Sequence, residues 1–306
     1  MSLKDRIGEV SASDSPRARR ARIHQGWWRS FVLNQKQGTR PADERALICS
    51  KLPAETAGLS NFISKEIGLL ALEAAENHNN SNDKSGIIEI SRLKENLLSS
   101  QPLCFNFFGI IALDHELGLK VVQSFYPEIT GFSGVRFEYA PSPKKNFTHD
   151  NSAFDVALDV SIGSEQGIIG IECKYTESFS ATAYSKDRYK EIYAASDNFA
   201  WSYEELSSSR FNQLFRNQLI AESLLQSDTK KFVKTALFCA PDDDKAKNTA
   251  AEFLKGIRGD FKIIDFMDYI SVIQKQEISE RQRIETMRLW ARYLAHELSD
   301  RAALEY

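Results

Sequence analysis

The stretch FDVALDVSI (154–162) alternates apolar and polar residues without a fault, and no other feature of the chain is as restrictive. In an extended strand successive side chains point to opposite faces. Val156, Leu158, Val160 and Ile162 therefore share one face, and Asp155, Ala157, Asp159 and Ser161 share the other. Turn material follows, GSEQG (163–167), and then the apolar run IIGIECKY (168–175). Two strands this close in sequence predict an antiparallel β-hairpin. In its second strand Glu172 and Lys174 stand two apart and point the same way, while Ile171, Cys173 and Tyr175 point to the other side. A buried strand carries such charges only when they are paired with each other or bind something.

The hairpin register decides which aspartate meets Glu172. A two-residue turn at Gly163-Ser164 sets Asp155 opposite Glu172. A turn at Ser164-Glu165 sets Asp155 opposite Lys174, with Glu172 on the diagonal. A loop centred on Glu165-Gln166 brings Asp159 to Glu172 instead. Asp155 is preferred, and Asp159 is kept as the alternative metal ligand.

These residue types suit phosphodiester chemistry. A magnesium ion takes hard oxygen ligands and keeps several waters. Asp155, Glu172 and the backbone carbonyl of Cys173 could hold one and leave positions for water and substrate. The Lys174 ammonium could hold an attacking water or stabilise the charge that develops at phosphorus. An acid-x-Lys triplet alone means little. Asp228-x-Lys230 and Asp243-x-Lys245 have the same form, but both fall in predicted turns.

The rest of the chain frames this hairpin. Residues 13–125 read as helical. Ser15-Pro16 opens a helix whose apolar face includes Ile23, Trp27, Trp28 and Phe31, and 38–41 breaks it. Further helices are expected at 59–76, 91–98 and 102–119, with a polar loop at 78–86. A strand is expected at 135–139 (VRFEY). After the hairpin come helices at 185–195, 210–226 and 244–256, strands at 232–239 and 261–266, and a terminal helix at 284–298. The order predicts an α/β (α+β) protein, a central mixed sheet of four to five strands flanked by helices. An N-terminal helical region, 1–98, packs on a core of 99–306.

The charge balance is ordinary, with 39 Lys and Arg against 42 Asp and Glu and a formal net charge of −3. That argues against a basic coat protein that binds nucleic acid over its whole surface. The dense run Arg17, Arg19, Arg20 and Arg22 reads as a solvated helix face. Cys49, Cys104, Cys173 and Cys239 are widely spaced with no CxxC pattern, which points to buried thiols in a reducing, cytoplasmic setting. The N-terminus carries no apolar leader, and no run is long enough to span a bilayer.

The Asp155 strand, tight turn and Glu172-x-Lys174 strand, followed by a helix and another strand, resemble the PD-(D/E)XK, or restriction endonuclease-like, superfamily. The resemblance covers about residues 99–240. Asp155 matches the first acid, Glu172 the second and Lys174 the lysine, while Phe154 stands where the family name has proline. The segments SSQPLCFNFFG (99–109) and IECKYTE (171–177) are similar to bacterial restriction endonuclease-like families. The resemblance implies a Mg²⁺- or Mn²⁺-dependent endonuclease acting on DNA, in restriction or defence, with a homodimer as one way to cut two strands. It also implies a polar residue from the helix before the first strand, for which Gln101, Asn106 and Glu116 are candidates. The helix after the Glu-x-Lys strand offers Gln213, Arg216 and Gln218, with Arg216 suited to gripping a phosphate. The competing reading is a nuclease-fold module that binds nucleic acid without cutting it.

Overall fold

The computed structural model describes residues 2–40, 43–80 and 86–306. Its centre is a five-stranded mixed sheet, in order β3 (Gly131–Tyr139), β4 (Phe154–Ile162), β5 (Glu165–Lys174), β6 (Phe232–Cys239) and β7 (Phe261–Asp265). The first three strands form an antiparallel meander, and β6 and β7 add in parallel. The hairpin turns at Gly163-Ser164, with Ile162 opposite Glu165 and Val156 opposite Ile171. Gly163 has φ 58°, the left-handed backbone that a two-residue hairpin turn needs at its first position and that glycine takes without strain.

Alternation along β4 divides the two layers. Val156, Leu158 and Val160 join Ile169, Ile171 and Cys173 of β5 on the face covered by α3 (Ser100–Ala112) and α4 (His115–Phe125). Phe154, Ala157 and Ile168 lie against Ile220, Ala221 and Leu224 of α6 (Asn212–Gln226) on the other side. With a layer on each side, β5 can be apolar almost throughout, as internal strands are. The chain enters α6 through a short helix, α5 (Asp187–Ala194). It enters β7 from α7 (Asp244–Phe253), and closes through α8 (Phe266–Gln274) and α9 (Glu280–Tyr293). α8 was not foreseen. α9 starts earlier than expected because Ser279 and Gln282 form a capping box.

The N-terminal region differs from the expected all-helical block. α1 (Pro16–Trp27) starts as predicted, with the Ser15 side chain accepting from the Ala18 N–H at 3.2 Å and Pro16 in the first turn. A small two-stranded ribbon then intervenes, β1 (Gly38–Arg40) and β2 (Asp43–Ile48). Strands this short leave no readable alternation. The next long helix, α2 (Lys65–Asn80), is displaced towards the C-terminus, and 81–85 of the expected polar loop lie outside the described residues. Ala21 of α1 and Phe62, Ile63, Ile67, Ala71 and Ala75 share one apolar cluster with the central sheet.

The basic run on α1 is not a solvated face. Arg17 pairs with Asp242 and Asp243 at 3.1 and 3.2 Å and donates to the Tyr175 carbonyl at 2.6 Å. Arg19 reaches the Tyr306 carbonyl, Arg20 pairs with Asp300, and Arg22 with Asp14. These arginines fasten the N-terminal helix to the rest of the molecule. The Trp27-Trp28 pair is packed rather than presented, with Trp28 buried and Trp27 stacked on His24.

One close approach bears on the site. Phe154 is fully buried, and a Cβ on Gly170 would sit 2.4 Å from its ring. The Phe154 ring therefore fits only because β5 has glycine where the ring lies over it. Gly170→Ala is expected to lower unfolding free energy by about 1–3 kcal/mol, the usual cost of overpacking a filled core. Denaturant titration that shows no loss would mean Phe154 has room to move.

Candidate active site

Continuing the hairpin register one step beyond Val156 and Ile171 sets Asp155 beside Glu172. Glu172 and Lys174 project to the α6 side of the sheet. The Asp155 carboxylate accepts the Cys173 backbone N–H at 2.7 Å. The Lys174 ammonium lies 2.9 Å from Glu172 Oε1, and the two side chains are only 5% and 4% exposed. Asp155 keeps a little solvent contact, but protein encloses most of its carboxylate.

A buried ion pair is tolerable when its remaining hydrogen-bonding capacity is met, and α6 meets it. Gln213 Nε2 donates to Glu172 Oε1 at 2.5 Å, and Gln213 Oε1 accepts from Lys174 Nζ at 2.9 Å. Asn217 Nδ2 donates to Glu172 Oε2 at 2.7 Å. Residues four apart on a helix share a face, so Gln213 and Asn217 act on the pair together. Arg216 lies beside them. Its Nε and Nη2 donate to the Ser152 hydroxyl at 3.0 and 2.8 Å, just ahead of β4.

A further carboxylate belongs to this centre. Phe137 pairs with Val156 and Tyr139 with Phe154, so Glu138 stands opposite Asp155. Its φ is 49°, a conformation that non-glycine residues seldom adopt and that costs energy. Gln101 of α3 donates to its Oε1 at 3.1 Å, and also holds the Ile87 carbonyl. Burial raises the Glu138 pKa to about 7 against the Gln101 hydrogen bond, with the negative charge of Glu172 adding to the rise. Asp155 is held well above the usual carboxylate range, first by burial and then by Glu172 and Glu138. For Lys174, burial works against the charged form, but Glu172 and Asp155 outweigh it and its pKa is raised. Repelling acids around one ammonium are therefore the electrostatic signature of the site.

The other sequence candidates lie elsewhere. Asp159 pairs in register with Ile168, far along the hairpin from Glu172, and is engaged by Arg136 at 2.5 Å and Lys230 at 3.1 Å. Asn106 satisfies the Ile63 N–H, the Asn61 carbonyl and the Tyr293 hydroxyl inside the helical layer. Glu116 pairs with Lys120 at the surface, and Gln218 bonds to Glu222 and Thr235. Gln101 does reach the site, through Glu138. Asp243 caps α7 by accepting the Ala246 N–H. Two residues at the centre were not read from the sequence. Asn217 was signalled only by its spacing from Gln213. Glu138 lies in a strand that reads as an ordinary alternation.

A model of the PD-(D/E)XK nuclease superfamily matches residues 12–295, and the chain belongs to that superfamily. The match runs through α1 and α9 as well as the sheet, so the helices at both ends lie within the shared pattern. No curated protein and no solved structure matches the chain.

Two stability experiments follow from the electrostatics. Glu138 holds its proton more tightly folded, near pH 7, than unfolded, where the ordinary value is 4.5. Its ionisation thus costs stability above about pH 7, and that cost disappears as the pH falls through this window. In chelator, Glu138→Gln is expected to melt above the native protein at pH 8, with the gap closing towards pH 5. A gap constant over that range would contradict the assignment. Lys174→Met strands Glu172 and should cost about 3–5 kcal/mol. Pairing it with Glu172→Gln should recover part of that loss in urea titrations, and strict additivity of the two single changes would show that the pair is not coupled.

Proposed function

We propose that the protein is a Mg²⁺- or Mn²⁺-dependent endonuclease that hydrolyses phosphodiester bonds of DNA. The observation that carries this reading is the set of Asp155 and Glu172 on paired strands with Lys174 beside them, in a chain of the nuclease superfamily. Glu172 and Asp155 both act on the buried Lys174 ammonium, and Glu138 adds its own repulsion to those two acids, a crowding that a divalent cation would relieve. Among the described residues no three His, Cys, Asp or Glu side chains form a ready cage. The donor set nevertheless fits magnesium, which is commonly held by one or two carboxylates and otherwise by water and phosphate oxygens. Asp155, Glu172 and the Cys173 carbonyl are the proposed ligands.

When bound, the cation would polarise the phosphoryl group and make water more acidic. The chain's own residues supply the rest. Lys174 faces the carboxylates as a compact positive charge and can steady the attacking water or the charge growing on the phosphoryl oxygens. Gln213 keeps the lysine in place, and Asn217 fixes the Glu172 plane, so neither group has to reorganise during the reaction. Arg216, anchored on Ser152, is placed to grip a neighbouring phosphate. A restriction or defence role accords with this chemistry. No helix among the described residues is long and apolar enough to cross a membrane.

The depth of the Glu172–Lys174 pair favours a second reading, a module that binds nucleic acid without cleaving it. Cleavage assays with Mg²⁺ or Mn²⁺ separate the two. The nuclease reading expects Glu172→Ala and Lys174→Ala each to reduce kcat by at least about a hundredfold, with excess chelator stopping the reaction. It expects calorimetric Mn²⁺ binding to be lost in Glu172→Ala. Activity that survives those changes or the chelator would remove this centre from consideration. Metal-independent DNA binding without cleavage would favour the module.

A further inference from the structure

Between β5 and α5, residues 176–186 form no helix or strand and cross the first turns of α6. Their contacts are with the site's own supports. The Ser180 N–H donates to Gln213 Oε1 at 3.3 Å, and the Phe179 ring lies 5.0 Å from the Lys174 ammonium. Asn212 Nδ2 donates to the Tyr184 carbonyl at 3.0 Å. The Tyr184 ring covers the Arg216 guanidinium at 4.9 Å, and that guanidinium is bonded to Ser152, three residues before Asp155. This strap and the loop before β4 meet through Tyr184, Arg216 and Ser152.

Two properties of this strap bear on the substrate. Glu172 and Lys174 sit beneath the strap, almost without exposure. A DNA duplex is a stiff rod, costly to bend over short lengths, and it carries its second strand wherever the first goes. A single strand is thinner and flexible. Tyr184 is 46% exposed, and Arg216 holds its ring from one side. An oriented ring with an open side is a stacking surface for an unpaired base, and it works for any base sequence. Exposed Lys186 and Lys190 follow it, and exposed Lys144 and Lys145 lie on the loop that Arg188 joins to α5 through the Phe147 carbonyl. Asp187 and Glu191 alternate with these lysines, so the flank is mildly rather than strongly basic.

We infer that this site takes an unpaired nucleic-acid strand, with Tyr184 stacking on a base next to the phosphate presented to Asp155, Glu172 and Lys174. The inference rests on the nuclease reading and specifies its substrate class.

Equilibrium binding in chelator, using the full chain and a labelled 20-nucleotide DNA either single-stranded or annealed to its complement, tests it without cleavage. The single strand should bind at least about tenfold more tightly than the duplex. Tyr184→Ala should weaken single-strand binding by about tenfold or more, in the range expected for one lost base stack, and leave duplex binding unchanged. Tyr184→Phe should bind as the native chain does, since the ring and not the hydroxyl is at work. Tyr184 is exposed, so a melting curve matching the native one is expected and verifies the fold of each variant. Duplex binding equal to or tighter than single-strand binding, or native affinity in Tyr184→Ala, overturns the inference while leaving the nuclease reading intact. Failure of both DNA forms to bind, with Mn²⁺ as well as without, overturns the nuclease reading and this inference with it.

Discussion

An ion pair enclosed between a sheet and a helix organises this protein. Glu172 and Lys174 lose nearly all contact with water, and their mutual attraction alone seldom offsets that loss. The deficit is met by amide side chains from α6, so the helix cannot be uniformly apolar where it crosses β5. Its character changes along its length. Gln213 and Asn217 lie over the charges, while Ile220, Ala221 and Leu224 lie over Phe154 and Ala157. The same helix thus closes the core at one end and furnishes a polar ceiling at the other. The absence of a side chain at Gly170 lets the Phe154 ring settle against β5 next to Asp155.

Much of this arrangement was legible because β-structure has a period of two. The faultless alternation of 154–162 separated Asp155 from Val156 before any coordinates, and the doubly covered β5 was visible as an apolar run interrupted by one acid and one base. The turn was ambiguous because GSEQG offers several centres. A left-handed Gly163 settles it, and with it the competition between Asp155 and Asp159 for the place beside Glu172. Gln213 and Arg216 were named from their helix, but which α6 residues look inwards depends on how the helix is rotated, and a single sequence does not carry that. Asn217 was missed for this reason and Gln218 wrongly included. Glu138 was hidden more deeply. A glutamate in an edge strand ordinarily faces solvent, and neither its pairing opposite Asp155 nor its φ of 49° is written in the local pattern.

The N-terminal segment shows the opposite lesson. Four arginines within six residues invited a reading as a free charged surface, yet each is bound within the molecule, two of them to main-chain carbonyls. Charge density in a sequence does not tell whether the partners are solvent, ligand or distant parts of the same chain. Here α1 acts as a brace on the end of the strand that carries Glu172 and Lys174. Arg17 holds the Tyr175 carbonyl, and Gln25 holds the Tyr175 hydroxyl at 2.8 Å, one residue beyond Lys174.

That brace is itself held from the far end of the chain. His24 is bonded to the Ala291 carbonyl, and Gln25 donates to the Arg292 carbonyl while accepting from the Arg292 guanidinium. During synthesis the strand carrying Glu172 and Lys174 leaves the ribosome more than a hundred residues ahead of these partners. The nascent hairpin can pair early, but the helix that clasps its outer end is itself anchored only after more than a hundred further residues have been made. The order of translation thereby constrains the order of assembly, with the Glu172–Lys174 strand braced well after it is first made.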